Sequence, residues 1–275
     1  MSEALFAVAD LHLSLPDMTQ KPLFGAAPRI EILKGLNFAI ADGAITGIVG
    51  ESGSGKTSLG RTLIRLLKPD SGTIHFAGRD IAAIGDDEMR PLRRDLQIIF
   101  QDPFSSLNPR KTVGAIIASP LLLHKVAREG REAHKLAREV LTQVGLPENF
   151  VSRYPHELSG GQRQRVGIAR AVSLKPRFIL ADEIVSGLDV SSQAQILDLL
   201  MNLRAQMNFT MAFISHDLSV VRRLCDRVIV MRRGEIVEDA ETAMLFEKPQ
   251  HAYTRLLRDS IPLPEVSDGW LKEPL

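Results

Sequence analysis

Residues 44–67 read "AITGIVGESGSGKTSLGRTLIRLL". The opening "AITGIVG" is a short apolar run without a charge, the pattern of a buried strand, and "KTSLGRTLIRLL" has helical spacing. Between them "GESGSGKT", residues 50–57, fits G-x-x-x-x-G-K-[ST] with a strand before and a helix after, the context that motif requires. The glycines let backbone N–H groups turn inward around phosphates. Lys56 offers a point charge to the β and γ phosphates, and the Thr57 hydroxyl can ligate Mg²⁺. Gly50, Glu51, Ser52, Gly53, Ser54, Gly55, Lys56, Thr57 and the adjoining Ser58 therefore form a candidate phosphate site. A turn that merely caps a helix would need neither the lysine nor the threonine.

Outward from this loop, "LQIIFQD" (96–102), "RFILADE" (177–183), "FTMAFISHD" (209–217) and "RVIVMRRGEIVE" (227–238) repeat the short apolar run, with helical segments between. That alternation predicts an α/β fold, a mainly parallel sheet with helices on its faces. The front of the chain, "ALFAVADLHLSL" and "ILKGLNFAIADG", alternates like an antiparallel β subdomain. Residues 102–173 change character: Leu136, Val140 and Val144 share one helical face, Gly145 reads as the cap and Pro147 as the stop. This section reads as a helical lobe inserted into the sheet of a single domain over residues 1–250, followed by a short tail, 251–275.

The 275 residues suffice for a packed core, and 44% hydrophobic with 24% charged residues is an ordinary globular composition. With 34 basic and 33 acidic residues the net charge is +1, which gives no field for nucleic acid. The clusters "NPRK" (108–111) and "RQR" (163–165) read as solvated surface. Cys225 is the single cysteine, so an internal disulfide is excluded and an inert, partly buried thiol is expected. No secretory pattern opens the chain, and "VGAIIASPLLL" is too short to span a bilayer. A soluble protein in a reducing compartment is expected, with any membrane span supplied by other chains.

Two further motifs carry chemistry. In "FILADE", Asp182 ends an apolar strand, where a carboxylate can hold Mg²⁺, and Glu183 follows. Strand alternation would point them to opposite sides, one for the metal and one for the attacking water. In "HELSGGQRQRVGIARA" (156–171), Ser159 to Gln162 form S-x-x-Q, a capping box. A cap needs neither Gly160 nor Gly161, and both weaken a helix unless something must approach the backbone closely.

The phosphate loop, "LSGGQ", "ILADE", "SGLD" and "ISHD", in this order and over nearly the whole chain, resemble the ATP-binding subunit of an ATP-binding-cassette transporter. The resemblance implies a P-loop NTPase core that binds ATP and Mg²⁺ between two head-to-tail subunits. Each ATP would lie between the phosphate loop of one chain and Ser159, Gly160, Gly161 and Gln162 of the other. It further implies that Glu183 is the general base, that Gln101 meets Mg²⁺ and the attacking water, that His216 contacts the γ-phosphate, and that Asp189 links the two sites. Thr57, Gln101 and Asp182 would hold the metal. His156 and His251 keep structural readings.

"QDPFSSLNPRKTVG", "RYPHELSGGQRQR" and "EKPQHAYTRLL" narrow the resemblance to the bacterial peptide and nickel importers. The chain departs from that pattern in four places. Its tail has His251-Ala252-Tyr253 where His-Pro-Tyr is usual. Ile184 replaces a proline after Glu183, and Gly187 stands where alanine is common. Leu15 falls where an aromatic normally stacks on adenine, with Phe24 as the alternative. The cysteine-containing extension of some relatives is lacking, so no iron–sulfur cluster is expected.

The implied protein is a peripheral ATPase on the cytoplasmic face of the plasma membrane. It would drive two permease subunits beside a second, related ATPase, with an extracytoplasmic solute-binding protein delivering oligopeptides, dipeptides or similar solutes. Repair and chromosome ATPases sharing the cassette insert long coiled coils, and translation factors carry two cassettes with a basic linker. The chain has neither feature. An exporter is separated only by the importer-like segments. A non-hydrolysing regulator would leave Glu183 and His216 unexplained.

Overall fold

A computed structural model describes residues 4–17, 19 and 25–260. The chain opens with β1 (Ala4–Pro16), β2 (Arg29–Ala41) and β3 (Ile45–Val49), then α1 (Lys56–Leu63), β4 (Ser71–Phe76) and β5 (Arg79–Asp80). Next come α2 (Asp86–Leu92), β6 (Leu96–Ile99), α3 (Pro103–Ser106), α4 (Val113–Leu123), α5 (Gly130–Gln143) and, after two short 3-10 turns, α6 (Gly160–Val172). The last part runs β7 (Phe178–Asp182), α7 (Val190–Met207), β8 (Thr210–Ile214), α8 (Leu218–Leu224), β9 (Arg227–Arg232), β10 (Glu235–Glu241), α9 (Thr242–Glu247) and α10 (Ala252–Asp259).

The larger sheet has six strands in the order β10-β9-β3-β8-β7-β6, parallel from β9 to β6. The period of two sorts its side chains between two cores. Ile48, Phe178, Leu180, Ala212, Ile214, Ile229 and Met231 join the α1 side, where the second sheet, β2-β1-β4-β5, contributes Phe6, Leu11, Leu33 and Ile40. Ile45, Val49, Ile179, Ala181, Met211, Phe213, Val228 and Val230 join the opposite core with α6, α7 and α8. Both faces are covered, which is why these strands read as continuous apolar runs. The second sheet pairs antiparallel throughout, as its alternation predicts.

Helix α1 lies close on the sheet because Gly60 has no side chain. A Cβ there would come 2.6 Å from Leu180 Cδ1 and 2.9 Å from Ile214 Cδ1. Between β6 and β7 the described chain is helical, and α5 ends at Gln143 with Gly145 two residues on at φ +72°. Cys225 is buried, and burial together with Asp226 pushes its thiol pKa up, so it is a small apolar residue here.

Three sequence readings change. "RVIVMRRGEIVE" is a hairpin of β9 and antiparallel β10, turned by Arg233 (φ 49°) and Gly234 (φ 86°). Two positive φ values in a two-residue loop match the right-handed strand twist. Glu183 lies beyond the end of β7 at φ 49°, so a turn rather than strand alternation separates it from Asp182. The "RQR" segment is not free surface. Arg163 stacks 4.0 Å from the centre of the Phe104 ring, Gln164 is buried, and Arg165 donates to the Val144 carbonyl at 2.7 Å.

Candidate functional site

The site gathers at the C-terminal edge of the parallel strands, where α/β sheets place their ligand crevices. β3 runs into the phosphate loop, whose last glycine, Gly55, stands before the first turn of α1 at φ 103°. Lys56 is the first residue of that helix and is buried at 5% exposure. Its Nζ donates to the carbonyls of Gly50 and Glu51, both at 2.8 Å, so the ammonium is wrapped by its own loop. Burial lowers its pKa, while Glu183, Asp182 and Glu51 act in the opposite direction.

Asp182 shares the α1-facing side of its strand and is only 2% exposed. Its Oδ1 accepts from Thr57 Oγ1 at 3.1 Å, and Arg61 lies 3.6 Å from Oδ2. Burial raises its pKa, with the Thr57 hydrogen bond and Arg61 pulling the other way. Oxygen donors from one hydroxyl and one carboxylate, side by side at a phosphate loop, fit Mg²⁺, which binds through one or two carboxylates and keeps its remaining ligands to phosphate and water. Among the described residues no group of three or more His, Cys, Asp or Glu is gathered as an all-protein metal cage.

Glu183 donates its backbone N–H to the Ile214 carbonyl at 3.0 Å, which fixes the left-handed turn. Its Oε2 accepts from Gln101 Nε2 at 3.0 Å and lies 3.6 Å from His216 Nδ1. Gln101 follows β6, Glu183 follows β7 and His216 follows β8, so three strand ends bring three scattered motifs together. An open cleft of about 390 Å³ is lined by Lys56, Thr57, Ser58, Gln101 and Glu183.

The "LSGGQ" residues lie elsewhere. Ser159 caps α6, with Oγ accepting from the Gln162 N–H at 3.3 Å and Gln162 Oε1 accepting from the Ser159 N–H at 3.0 Å. A Cβ at Gly160 or Gly161 would meet nothing within 4 Å, so nothing in this chain's described packing requires either glycine. Ser159, Gly160, Gly161 and Gln162 line a second cleft of about 400 Å³ with Gly187 and Asp189. Asp189 caps α7, accepting from the Ser192 N–H at 2.9 Å and the Ser192 hydroxyl at 2.6 Å, and the hydroxyl bond leads in holding its pKa down. The two clefts have no lining residue in common. A smaller one, between Glu183 and Gly187, lies next to both.

Three residues to which the sequence reading gives no role at the site belong to this region. Ile32 of β2 lines the phosphate cleft, Arg61 faces Asp182, and Tyr253 of α10 accepts from the Glu51 N–H at 2.8 Å. Arg61 stands one turn beyond Thr57 on α1, a spacing that sequence alone offers; the other two are brought in by the fold. Leu15 pairs with Ile30 and packs on the same core as Ile32, but it is not on the cleft lining; Phe24 lies outside the described residues. The Ile184 side chain is 1% exposed and occupies the core, while Gly187 has φ +77°.

The ABC transporter family profile matches residues 33–186. The chain is 51% identical to a "Putative peptide import ATP-binding protein" of Brucella ovis over 86% of its length and 74% of that protein. It is 48% identical to the oligopeptide transport ATP-binding protein AppF of Bacillus subtilis, over 85% and 71%. Among solved structures, the dimeric post-hydrolysis state of the ATP-binding cassette MJ0796 bound to ADP and Pi superposes with a TM-score of 0.75 at 30% identity, covering 86% of this chain and 98% of that one. With the phosphate loop, the Asp182–Glu183 pair and the exposed "LSGGQ" helix end already in place, these matches settle the family: the chain belongs to the ABC transporters.

Proposed function

We propose that this chain is the ATP-hydrolysing, energy-coupling subunit of a bacterial importer for oligopeptides, dipeptides or similar solutes. The observation that carries the reading is the pair of separate clefts, one with Lys56, Thr57 and Glu183 and the other with the "LSGGQ" end of α6. One chain with both clefts is complete only beside a second cassette. The peptide-import names of the relatives support the solute class.

In this reading Lys56 exchanges its loop carbonyls for phosphate oxygens, and the loop N–H groups hold the rest of the triphosphate. Thr57 and Asp182, with Gln101 close by, would hold Mg²⁺, which neutralises phosphate charge when bound. Glu183 orients water and takes its proton. The Gln101 amide and His216 border that carboxylate and set where the water and the γ-phosphate meet it. The partner's Ser159-to-Gln162 segment closes the site from the other side, and Asp189 sits beside that junction. In this reading the chain works against two permease subunits. The ATPase partner is a related chain or a second copy. A solute-binding protein supplies the substrate outside the membrane, and this chain stays peripheral on the cytoplasmic side. Among the described residues no helix is long and apolar enough to cross a membrane, so the span belongs to the permeases.

Glu183→Gln in the assembled transporter tests the chemistry. ATP affinity should hold while hydrolysis slows by roughly 10²–10⁴-fold, the usual worth of a positioned acid–base group. Near-normal turnover would remove Glu183 from the role of base.

A further inference from the structure

We infer that Tyr253 is a positioning residue for the phosphate loop, holding the Glu51 peptide through its hydroxyl and so making α10 part of the ATP site's support. The inference rests on the reading of Gly50 to Thr57 as that site. Tyr253 is 8% exposed, and its hydroxyl oxygen accepts the Glu51 N–H at 2.8 Å across 202 residues of sequence. The carbonyl of the same Glu51 accepts from Lys56 Nζ at 2.8 Å. One peptide unit on each side of Glu51 is thereby pinned, one by the tail and one by the lysine that serves the phosphates.

The support is itself braced. The Arg232 guanidinium lies 4.9 Å from the centre of the Tyr253 ring, a cation–π contact from β9. The Glu238 carboxylate on β10 accepts the Gln250 and His251 N–H groups, each at 2.9 Å, which ties the entry of α10 to the sheet. His251 Nδ1 accepts the Tyr253 N–H at 3.1 Å and caps the helix. These bonds fix where the tyrosine oxygen sits. A purely packing role would need the ring and not the hydroxyl, and that difference can be tested.

Tyr253→Phe keeps the ring and its Arg232 contact but leaves the Glu51 N–H without this acceptor. The loop must then be ordered by the nucleotide itself, which should raise the Mg-ATP dissociation constant about tenfold, the scale of one hydrogen bond left unmade. The full-length chain is to be measured by calorimetric ATP binding, nucleotide-free melting and amide exchange over residues 50–55, beside wild type, Lys56→Ala and Leu256→Ala. Leu256 is an exposed residue on the same helix.

The expected result is weaker ATP binding and faster exchange in Tyr253→Phe, a melting temperature within about 2 °C of wild type, and no change in Leu256→Ala. Wild-type affinity in Tyr253→Phe with loss of binding in Lys56→Ala would overturn this inference and leave the site reading standing. Retained binding in Lys56→Ala would bring down the site reading and the inference with it. An affinity loss that merely follows an equal loss of stability would also overturn it, since Tyr253 would then be a core residue only. Should Tyr253→Phe not fold, Glu238→Gln decides, because it loosens the helix entry without touching the ring. A several-fold rise in the dissociation constant supports the strut, and an unchanged one refutes it.

Discussion

Asp182 and Glu183 are adjacent yet differently placed, because β7 ends between them. Asp182 keeps strand geometry and stays buried against Thr57, whereas Glu183 turns at φ 49° toward Gln101 and His216. A non-glycine residue there costs about 1–3 kcal/mol and persists only where its surroundings offset that cost, and the Glu183 N–H to Ile214 carbonyl bond is such a restraint. The two carboxylates were legible in the sequence, but the turn was not, since an apolar run does not say on which residue a strand ends. Leu15 is partly buried against the same core as Ile32 but, unlike Ile32, is not on the phosphate-cleft lining, so its contact with adenine stands as a proposal. Leu15→Tyr would add a ring for the adenine, and stacking on an aromatic side chain is worth about 1–3 kcal/mol in nucleic-acid sites. The ATP dissociation constant, read by calorimetry, should fall at least fivefold. An unchanged value would place the base against another surface.

Among the elements, helix ends were the most legible. Ser159 with Gln162 at the start of α6 and Gly145 after α5 have local chemical signatures, and both are found where those signatures put them. The β9–β10 hairpin was not legible, because "RRGE" lacks the Asn-Gly or Asp-Gly pair that usually announces a two-residue turn. That hairpin braces the phosphate loop. The Gly234 N–H donates to the Ser54 carbonyl at 3.0 Å, and the Gly234 carbonyl accepts from the Lys34 N–H at 3.0 Å. A Cβ on Gly234 would lie 2.5 Å from the Ile32 carbonyl oxygen, at φ +86°. Gly234→Ala should therefore destabilise the fold by about 1–3 kcal/mol, the range for overpacked sites, and weaken ATP binding as the brace shifts. Urea unfolding gives the first quantity. A midpoint equal to wild type would show that the hairpin yields without cost and braces nothing.

On the scale of the whole molecule, the order of motifs carries the resemblance to the cassette, and that resemblance implies a partner. The sequence did not convey how its distant parts meet. Ile32 reaches the phosphate cleft through the second sheet, and Tyr253 reaches Glu51 only after α10 folds back. Periodicity and motif spacing are local, and such contacts are set by the packing of all the layers at once. The proposed division of the two clefts between two different nucleotides is decided by Ser159→Arg beside Lys56→Ala. Nucleotide binding by each isolated, folded chain is measured first, then ATP-dependent association and site-resolved nucleotide trapping with the partner ATPase. Ser159→Arg should bind ATP like wild type and fail to associate, because its side chain fills the space of the partner's γ-phosphate. Lys56→Ala should lose binding on its own. Loss of ATP binding by the isolated, folded Ser159→Arg chain would mean that both loops hold one nucleotide, and the two-chain site would be refuted.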